Sequence, residues 1–399
     1  MPKMYNKAFK SHQAINSKGE TMAKILYSLA QNGRGHASRG YEIIRRLVKR
    51  KHHVLVLTGG DTYDPLEKAL EKMDNVSMQK LPGLQFVYKE NGKVDYMKTS
   101  LRNIPKIFFG NLTVNKIKQL IDKHHFDFAI SDFEPYLPRA AKSKKISFIT
   151  VDNQHRIIFE KLNTKLIESK HIPSYVVAAG VVYASHPLGS KCIVASVFKP
   201  NISRKRIGKT DIIVVGPIIR KEVEELKKKV SKEDFVLVYV KSVLEKAILP
   251  VLEGINEKFV MYVSDPGTMN GYKNVKFKAQ SHTEFPKDLA RCKAVVSSAG
   301  EQLMSEALYL GKPIFLMPEV GTFEQTLNGY YVRNAGVGDF KEINKAKPED
   351  IIHFLKNLNE YETNIKKMEI NNSIDQIMQV IYSELSKLPK QKKLLAGRS

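Results

Sequence analysis

Residues 295–338 read VVSSAGEQLMSEALYLGKPIFLMPEVGTFEQTLNGYYVRNAGVG, and this stretch decides the fold. The pattern predicts a buried strand, a turn of small residues, a helix, a tight turn at Gly311-Lys312-Pro313, a second strand and, after a loop, another helix. A strand, a helix and a further strand at this spacing are typical of a parallel βαβ unit. The stretch therefore predicts an α/β fold built on parallel sheets.

The same alternation of strands and helices continues on both sides of this stretch. Upstream strands are predicted at 24–30 (KILYSLA), 54–58 (VLVLT), 126–131 (FDFAIS) and 146–151 (ISFITV), and the pattern restarts at 211–215 (DIIVV) and 235–240 (FVLVYV). A chain of 399 residues exceeds what one hydrophobic core usually organises, so two domains are expected. Pro200, Gly208 and Pro217 mark the boundary. The predicted division is a flexible leader at 1–21, a first domain at 22–208, a second domain at 209–365, and a C-terminal helix with a basic tail at 366–399.

The turn of small residues at 297–300 is a candidate ligand site. Small side chains let a ligand approach the start of the following helix, where unpaired N–H groups and the helix dipole favour a pyrophosphate. Glu306 lies further along that helix, where a carboxylate can accept hydrogen bonds from a ribose diol. Glu324 and Gln325 open the next helix and are expected at the same cleft.

The order S-x-G-x5-E-A-L-x2-G-K-P-x4-P-x5-E-Q-x2-N closely resembles the donor-binding segment of nucleotide-sugar glycosyltransferases of the GT-B fold, in the branch that holds the UDP-glycosyltransferases and the GlcNAc transferase of peptidoglycan synthesis. The resemblance covers roughly residues 22–385 and implies two Rossmann-like domains around a cleft. It implies an inverting transferase that moves a hexose or an N-acetylhexosamine from a UDP-sugar to an acceptor hydroxyl. The implied roles on the donor side are diphosphate binding at the turn and helix start, ribose binding by Glu306, and sugar binding by Glu324 and Gln325. The turn and helix start comprise Ser298, Ala299, Gly300, Glu301 and Gln302.

An aromatic residue and an amide upstream resemble the nucleobase element of the same family. Phe277 could stack on uracil, and Gln280 could read its edge. Phe285 is a rival for the stacking role, and a place for Phe277 in the core is the alternative.

The first predicted strand ends at the loop NGRGHASR (32–39), in which Gly33 and Gly35 allow a sharp turn beside a substrate. The resemblance implies that His36 is the general base that takes the proton of the acceptor hydroxyl. A carboxylate commonly fixes the tautomer of such a base, and Asp132, at the end of another strand, is the candidate partner.

Further polar residues follow the strands of the first domain. Glu134, Asp152 and His155 could bind the acceptor, provide an alternative base, or make only local hydrogen bonds. The chain departs from many relatives after the first strand of the second domain, where Lys241 and Ser242 replace a glycine-rich loop. The sequence therefore does not predict which residues of this loop contact the phosphates.

Charge and cysteine content narrow the class of protein. Lys and Arg total 65 against 41 Asp and Glu, which gives a net charge of +24 and favours phosphorylated substrates, anionic membranes or nucleic acid as partners. No nucleic-acid-binding signature accompanies the charge, so no nucleic acid is expected. Two distant cysteines suit the reducing cytosol and cannot form a zinc site. Neither a metal nor another cofactor is expected.

Membrane contact is a further expectation. The longest apolar run, residues 175–184, is too short to span a bilayer. Residues 101–126 mix apolar residues with lysines, which predicts either a peripheral membrane surface near a lipid-linked acceptor or an ordinary helix packed on the sheet. The expected location is cytoplasmic, at the inner face of the plasma membrane. Two other functions are consistent with parts of the sequence: a UDP-sugar 2-epimerase of the same fold, and a non-enzymatic protein that binds polyanions or membranes.

Overall fold

The computed structural model describes residues 22–31, 33–82, 110–162, 167–202, 205–269 and 271–389. The predicted leader at 1–21 and the end of the basic tail lie outside these residues. The chain folds into two parallel sheets flanked by helices, which confirms the α/β prediction.

The first sheet has eight strands among the described residues, in the order β3-β2-β1-β4-β5-β6-β8-β7. The strands are β1 (Lys24–Leu29), β2 (His53–Thr58), β3 (Val76–Lys80), β4 (Phe128–Asp132), β5 (Phe148–Asp152), β6 (Lys191–Ala195), β7 (Arg206–Ile207) and β8 (Thr210–Val215). All neighbours are parallel except β7 and β8. The strands β1, β2, β4 and β5 are almost fully buried because helices cover both faces, as the apolar runs predict.

Helices connect these strands and pack on the two faces of the sheet. They are α1 (Arg34–Lys49), α2 (Gly60–Leu70), α3 (Gly110–His124), α4 (Tyr136–Ser143), α5 (Arg156–Phe159) and α6 (Ile172–Ser185). The helix α3 buries Val114, Ile117 and Ile121 in the core beneath the sheet. This part of the stretch 101–126 is therefore an ordinary packed helix, whereas 101–109 lies outside the described residues.

The second sheet has six parallel strands among the described residues, in the order β11-β10-β9-β12-β13-β14. They are β9 (Val236–Tyr239), β10 (Phe259–Val263), β11 (Val275–Ala279), β12 (Ala294–Ser297), β13 (Ile314–Leu316) and β14 (Gly338–Phe340). The helices are α7 (Lys221–Leu226), α8 (Glu245–Glu253), α9 (Glu284–Arg291), α10 (Glu301–Tyr309), α11 (Phe323–Asn334), α12 (Pro348–Lys356), α13 (Leu358–Lys366) and α14 (Ile374–Ser386). The sequence 295–338 forms β12, α10, β13 and α11, as predicted, and it also contains the start of β14, which was not predicted.

The predicted domain boundary at 208/209 needs a correction. The strand β8 was assigned to the second domain because a new strand pattern starts there, but β8 pairs with β6 along its whole length. The crossover follows β8: Ile218 packs in the core of the first sheet and Ile219 in the core of the second. An apolar strand pattern identifies a strand but does not reveal which sheet it joins.

The C-terminal helix returns to the first domain. Ile374, Ile377, Met378 and Ile381 of α14 pack into the core of the first sheet, where α14 lies against α1. The hydroxyl of Tyr382 donates to the carbonyl oxygen of Arg46. The chain therefore crosses between its two halves twice.

Candidate active site

Three parallel strands of the first sheet end side by side in polar residues. In the register of β1 and β4, Leu29 lies beside Asp132, and the neighbouring strand β5 ends at Asp152. The loop after β1 carries His36 on the first turn of α1. Because parallel strands align their carboxyl ends, residues far apart in sequence meet at this edge.

His36 and Asp132 form the predicted pair. The distance between His36 Nδ1 and Asp132 Oδ1 is 2.8 Å. Arg39 donates from Nε to Asp132 Oδ2 at 2.8 Å and from a terminal nitrogen to Oδ1 at 2.5 Å. Asp132 is fully buried, whereas the side chain of His36 keeps 11% exposure. The carboxylate is thus held from two sides, and the imidazole keeps access to the cleft.

The charges around Asp132 keep it ionised. Burial opposes ionisation, but the charge of Arg39 and the hydrogen bonds from His36 and Arg39 outweigh it and hold the pKa of Asp132 below its usual value. The hydroxyl of Tyr27 is buried nearby without a hydrogen-bond partner among the described residues. Burial first, and then the charge of Asp132, raise the pKa of Tyr27, so this hydroxyl stays neutral.

Gly33 and Gly35 of the loop are suited to their positions for different structural reasons. Gly33 precedes α1 with φ of 92°, in the left-handed region that glycine tolerates best. Gly35 lies against the second domain: a Cβ at this position would come 3.2 Å from the Cβ of Gln302. The histidine loop and the start of α10 therefore meet across the cleft.

The start of α10 carries the predicted diphosphate turn. Ser298 and Ala299 are buried, Gly300 is exposed, and no side chain caps the helix. Glu301, on the first turn, accepts from the backbone N–H of Val197 at 2.9 Å and from Asn153 at 3.4 Å. Burial raises the pKa of Glu301. This carboxylate joins the two domains beside the open helix start.

Glu306 is buried within the protein and has strong partners. Arg220 donates to both of its oxygens at 2.7 and 2.6 Å, and Gln302 donates to Oε1 at 2.8 Å. Glu306 is 0% exposed. A ribose could reach this carboxylate only if Arg220 moved, so the predicted ribose contact is not formed in this arrangement.

Glu324 and Gln325 point to different partners, although they are neighbours. Gln154 of the first domain donates to both oxygens of Glu324, at 3.3 and 3.1 Å. Gln325 forms two hydrogen bonds of 2.8 Å with Glu319, and Lys241 pairs with the same carboxylate at 2.5 Å. Lys241 therefore lies beside the loop that Gln325 holds.

Three buried oxygens around these helices have no hydrogen-bond donor among the described residues. They are Asn153 Oδ1, Glu319 Oε2 and Asn328 Oδ1. Asn328 donates from its amide to the carbonyl oxygen of Ala299 at 3.0 Å, which places its oxygen beside the diphosphate turn. Because an unpaired buried acceptor costs free energy, the cleft suits a ligand that is rich in donors.

The candidate nucleobase residues lie at one edge of the second sheet. Phe277 is half-buried on the edge strand β11, against Tyr272, and Gln280 follows the end of that strand. Phe285 instead packs edge-on against Tyr239 and Tyr262 in the core. Phe277 lies in the middle of β11 and packs partly buried against the core of the second sheet, whereas Gln280 follows the carboxyl end of the strand.

The remaining acceptor-side candidates are engaged in local structure. Glu134 accepts from the backbone N–H groups of Tyr136 and Leu137 at the start of α4, and burial raises its pKa to about 7. His155 lies 2.6 Å from Asp152 through Nδ1 and is 1% exposed. The side chains of Glu134, Asp152 and His155 stabilise the edge of the sheet rather than line open space.

Four residues that sequence reasoning did not assign take part in the site. Arg39 follows His36 by three positions on α1, so the helical period alone could have placed it beside the imidazole. Asn153 directly follows Asp152 and bonds across the cleft. Arg156, 0% exposed, pairs with Glu160 and lies over the ring of Tyr331, and Arg220 holds Glu306. No local pattern identifies the roles of Arg156 and Arg220, because the residues that they contact across the domains are distant in sequence.

Within the described ranges, no three His, Cys, Asp or Glu side chains come together as metal ligands. In the same part of the chain, no helix has the length and the apolar character that a bilayer crossing requires.

Known proteins resemble this chain in sequence and in fold. A sequence model described as "Glycosyl transferase family 1" matches residues 23–359, and no curated protein matches the chain. Similar solved structures include CalG4, the calicheamicin glycosyltransferase (TM-score 0.63, 14% identity, 92% of this chain and 100% of that chain). They also include UGT2 of Phytolacca americana in complex with UDP-2-fluoro-glucose and pterostilbene (TM-score 0.61, 13% identity, 92% of this chain and 100% of that chain). A third is MurG of Acinetobacter baumannii (TM-score 0.56, 12% identity, 90% of this chain and 99% of that chain). The chain therefore belongs to glycosyl transferase family 1 and is a glycosyltransferase of the GT-B fold.

Proposed function

We propose that this glycosyltransferase moves a hexose or an N-acetylhexosamine from a UDP-sugar to an acceptor hydroxyl with inversion at the anomeric carbon. The observation that carries the proposal is the pair of His36 and Asp132, whose histidine follows directly on the residue that contacts the uncapped first turn of α10. The Cβ position of Gly35 lies 3.2 Å from Gln302, so the base and the diphosphate turn border one cleft.

The hydrogen bonds around His36 define which nitrogen acts. The contact of 2.8 Å to Asp132 needs a proton on Nδ1, because a carboxylate oxygen can only accept. The neutral imidazole then carries its lone pair on Nε2. Asp132 holds the ring in this tautomer, and Arg39 fixes Asp132 by donating to both of its oxygens, which gives the arrangement that a general base requires.

The reaction follows from this geometry. Nε2 of His36 takes the proton of the acceptor hydroxyl as its oxygen attacks the anomeric carbon. The bond between that carbon and the diphosphate oxygen breaks, and its electron pair leaves with UDP. The unpaired N–H groups at the start of α10 stabilise the negative charge on the departing diphosphate, and Lys241 supplies a cation nearby.

The donor sugar is proposed to lie between Glu324, Gln325 and Asn153. Its hydroxyl groups would donate to the buried oxygens of Asn153, Glu319 and Asn328, which have no donor among the described residues. Phe277 and Gln280 are proposed to hold the uracil at the end of β11. The contacts of Glu301 with Val197 and of Glu324 with Gln154 close the cleft, so donor entry requires them to open.

The acceptor is proposed to be a lipid-linked alcohol of the cell envelope, presented at an anionic membrane surface. The net charge of +24 supports this assignment because it favours approach to anionic lipid headgroups.

The experiment is a nucleotide-sugar screen by thermal shift, followed by measurement of UDP release with the best donor. The His36→Ala variant should lose about 10²- to 10⁴-fold in kcat while it keeps donor binding, because only the proton transfer is removed. The Phe285→Leu variant, altered in the core outside the cleft, is the control for general damage. Near-full turnover by His36→Ala would refute the base, and conversion of UDP-GlcNAc to UDP-ManNAc without acceptor would identify an epimerase instead.

A further inference from the structure

The helix α6 (Ile172–Ser185) is apolar on all sides and yet only half-covered. It contains no charged residue, and Tyr175, Ala178 and Ala179 pack on the core between the domains. A helix that is hydrophobic all round is normally buried, because its outer face gains nothing from water. The outer face of α6 therefore requires an explanation.

That outer face forms a continuous strip, called here the apolar stripe. Its members are Ile172, Val176, Val177, Val181 and Tyr183, which are 40%, 61%, 67%, 52% and 80% exposed. At about 100° per residue the five positions spread over half of the helix circumference, opposite the side that Tyr175, Ala178 and Ala179 occupy. A contiguous exposed apolar surface on a folded protein usually marks a binding face.

The charged residues near the ends of α6 leave a net positive charge. At the start of the helix, Glu168 and Glu342 lie near His171, and each glutamate pairs with a lysine, Lys170 and Lys345. At its end, Arg139 of α4 is exposed and donates to the carbonyl oxygen of Ala184. The rim of the apolar stripe therefore carries the charge of Arg139 beside balanced pairs.

The apolar stripe lies beside the cleft. The ring of Tyr175, on the inner side of α6, lies 5.2 Å from the ring of Phe323, the residue before Glu324. The helix also packs against α5, which follows His155. Anything seated on the apolar stripe is therefore adjacent to the donor-sugar side of the site.

We propose that the apolar stripe of α6 docks this protein on an anionic phospholipid bilayer. The valines and Ile172 enter the boundary between headgroups and acyl chains, Tyr183 lies at the level of the headgroups, and Arg139 contacts lipid phosphates. Anionic lipid matches both the exposed Arg139 at the rim and the net charge of +24. Docking is independent of the proposed donor chemistry and can be measured without any sugar.

The test is flotation of the full-length protein with vesicles of phosphatidylcholine that contain about one third phosphatidylglycerol, a mixture that gives a strongly anionic surface. The double variant Val177→Asp/Val181→Asp should lose at least about tenfold in binding, because it places charges in the apolar boundary. The control is Val230→Asp. Val230 is 38% exposed and follows Lys227, Lys228 and Lys229. If scattered lysines alone hold the protein on the vesicle, Val230→Asp should therefore lose more binding than the double variant.

A fluorescent reporter tests insertion directly. The chain has no tryptophan, so the variant Tyr183→Trp adds a single indole at the end of the apolar stripe. Its emission should shift to the blue when anionic vesicles are added and should be quenched by lipids that are brominated in the acyl chain. High salt should weaken the binding, because it screens the attraction to the headgroups.

Three results would overturn the proposal. One is an unchanged indole emission from the Tyr183→Trp variant while the protein floats with the vesicles, since another surface would then hold the bilayer. Another is an indole emission that is already blue-shifted before vesicles are added, since the chain itself or a second copy would cover the apolar stripe; sedimentation equilibrium separates these two. The third is equal loss of flotation in Val230→Asp and in the double variant.

Discussion

The first domain contains two pairs of histidine and aspartate at the same edge of one sheet, and they differ in what surrounds them. His36 reaches Asp132 across 96 positions of sequence, shares it with Arg39, and keeps 11% of its side chain exposed. His155 reaches Asp152 within one helical turn, and both side chains are within 1% of full burial. The geometry within each pair is nearly the same. Access to the cleft, not the hydrogen bond, separates a candidate base from a structural ion pair.

The two pairs also differ in how their charge is balanced. Asp132 receives donors from Arg39 and His36, so the buried carboxylate does not depend on a protonated histidine for its charge balance. Burial would lower the pKa of His155, but the charge of Asp152 and its hydrogen bond outweigh burial and raise it. The charge of Asp132 is therefore balanced by Arg39, whereas the charge of Asp152 favours the imidazolium of His155.

The largest expected difference between the pairs is in turnover. Asp132→Asn should lower kcat by about 10²-fold or more, because an amide nitrogen facing Nδ1 favours the wrong tautomer. Asp152→Asn should lower kcat by less than about tenfold, because His155 does not border the cleft. Steady-state UDP release, with folding checked by circular dichroism, measures both. Equal losses in the two variants would remove the distinction between the pairs.

The next expected difference is in stability. Arg39→Met leaves Asp132 fully buried with one donor group fewer, and it should cost about 3 kcal/mol in the free energy of unfolding. The double variant Arg39→Met/Asp132→Asn removes both charges and should recover most of that loss. Urea denaturation of the two variants and the wild type measures the coupling. A loss below about 1 kcal/mol in Arg39→Met would show that the arginine does not balance the carboxylate.

Local patterns predicted the fold for a physical reason, whereas the pairing of His36 with Asp132 was implied by the family resemblance. Apolar strands and small-residue turns are properties of a short stretch, and the carboxyl ends of parallel strands must share an edge. His36 and Asp132 each follow a strand, so their meeting follows from the strand order. The sheet that β8 joins is decided by pairing with β6, which no pattern within residues 210–215 reveals.

The partner of Glu306 could not be predicted from the sequence. The helix start and the position of Glu306 on α10 follow from the motif, but its engagement with Arg220 depends on a crossover segment 86 positions earlier. The same holds for Glu301 and Val197, which join the domains over 104 positions. Contacts between domains are set by the packing of whole domains, so the motif places Glu301 and Glu306 on α10 but does not reveal their partners.

The smallest expected difference is in the pH dependence of stability, and it has opposite signs for two histidines of the buried cluster. The ring of His186 stacks on Phe133 with centroids 3.9 Å apart, and burial lowers the pKa of His186 to about 3. Because the folded state resists its protonation, His186 makes the wild type lose stability as the pH falls from about 6.5 towards 3. The pKa of His155 is raised, so its contribution is full below about 6.5 and is lost as the pH rises through the folded-state pKa.

Two variants separate these contributions. His186→Phe keeps an aromatic ring against Phe133 and should be less sensitive to acid than the wild type, by at most about 1.4 kcal/mol per pH unit. The stability advantage of the wild type over His155→Gln should be larger at about pH 5.5 than at about pH 8.5, because only a protonated His155 balances Asp152. Urea denaturation across this range gives both slopes. If the two slopes had the same sign, the buried pair would not hold a charged imidazole, and its contrast with His36 would rest on exposure alone.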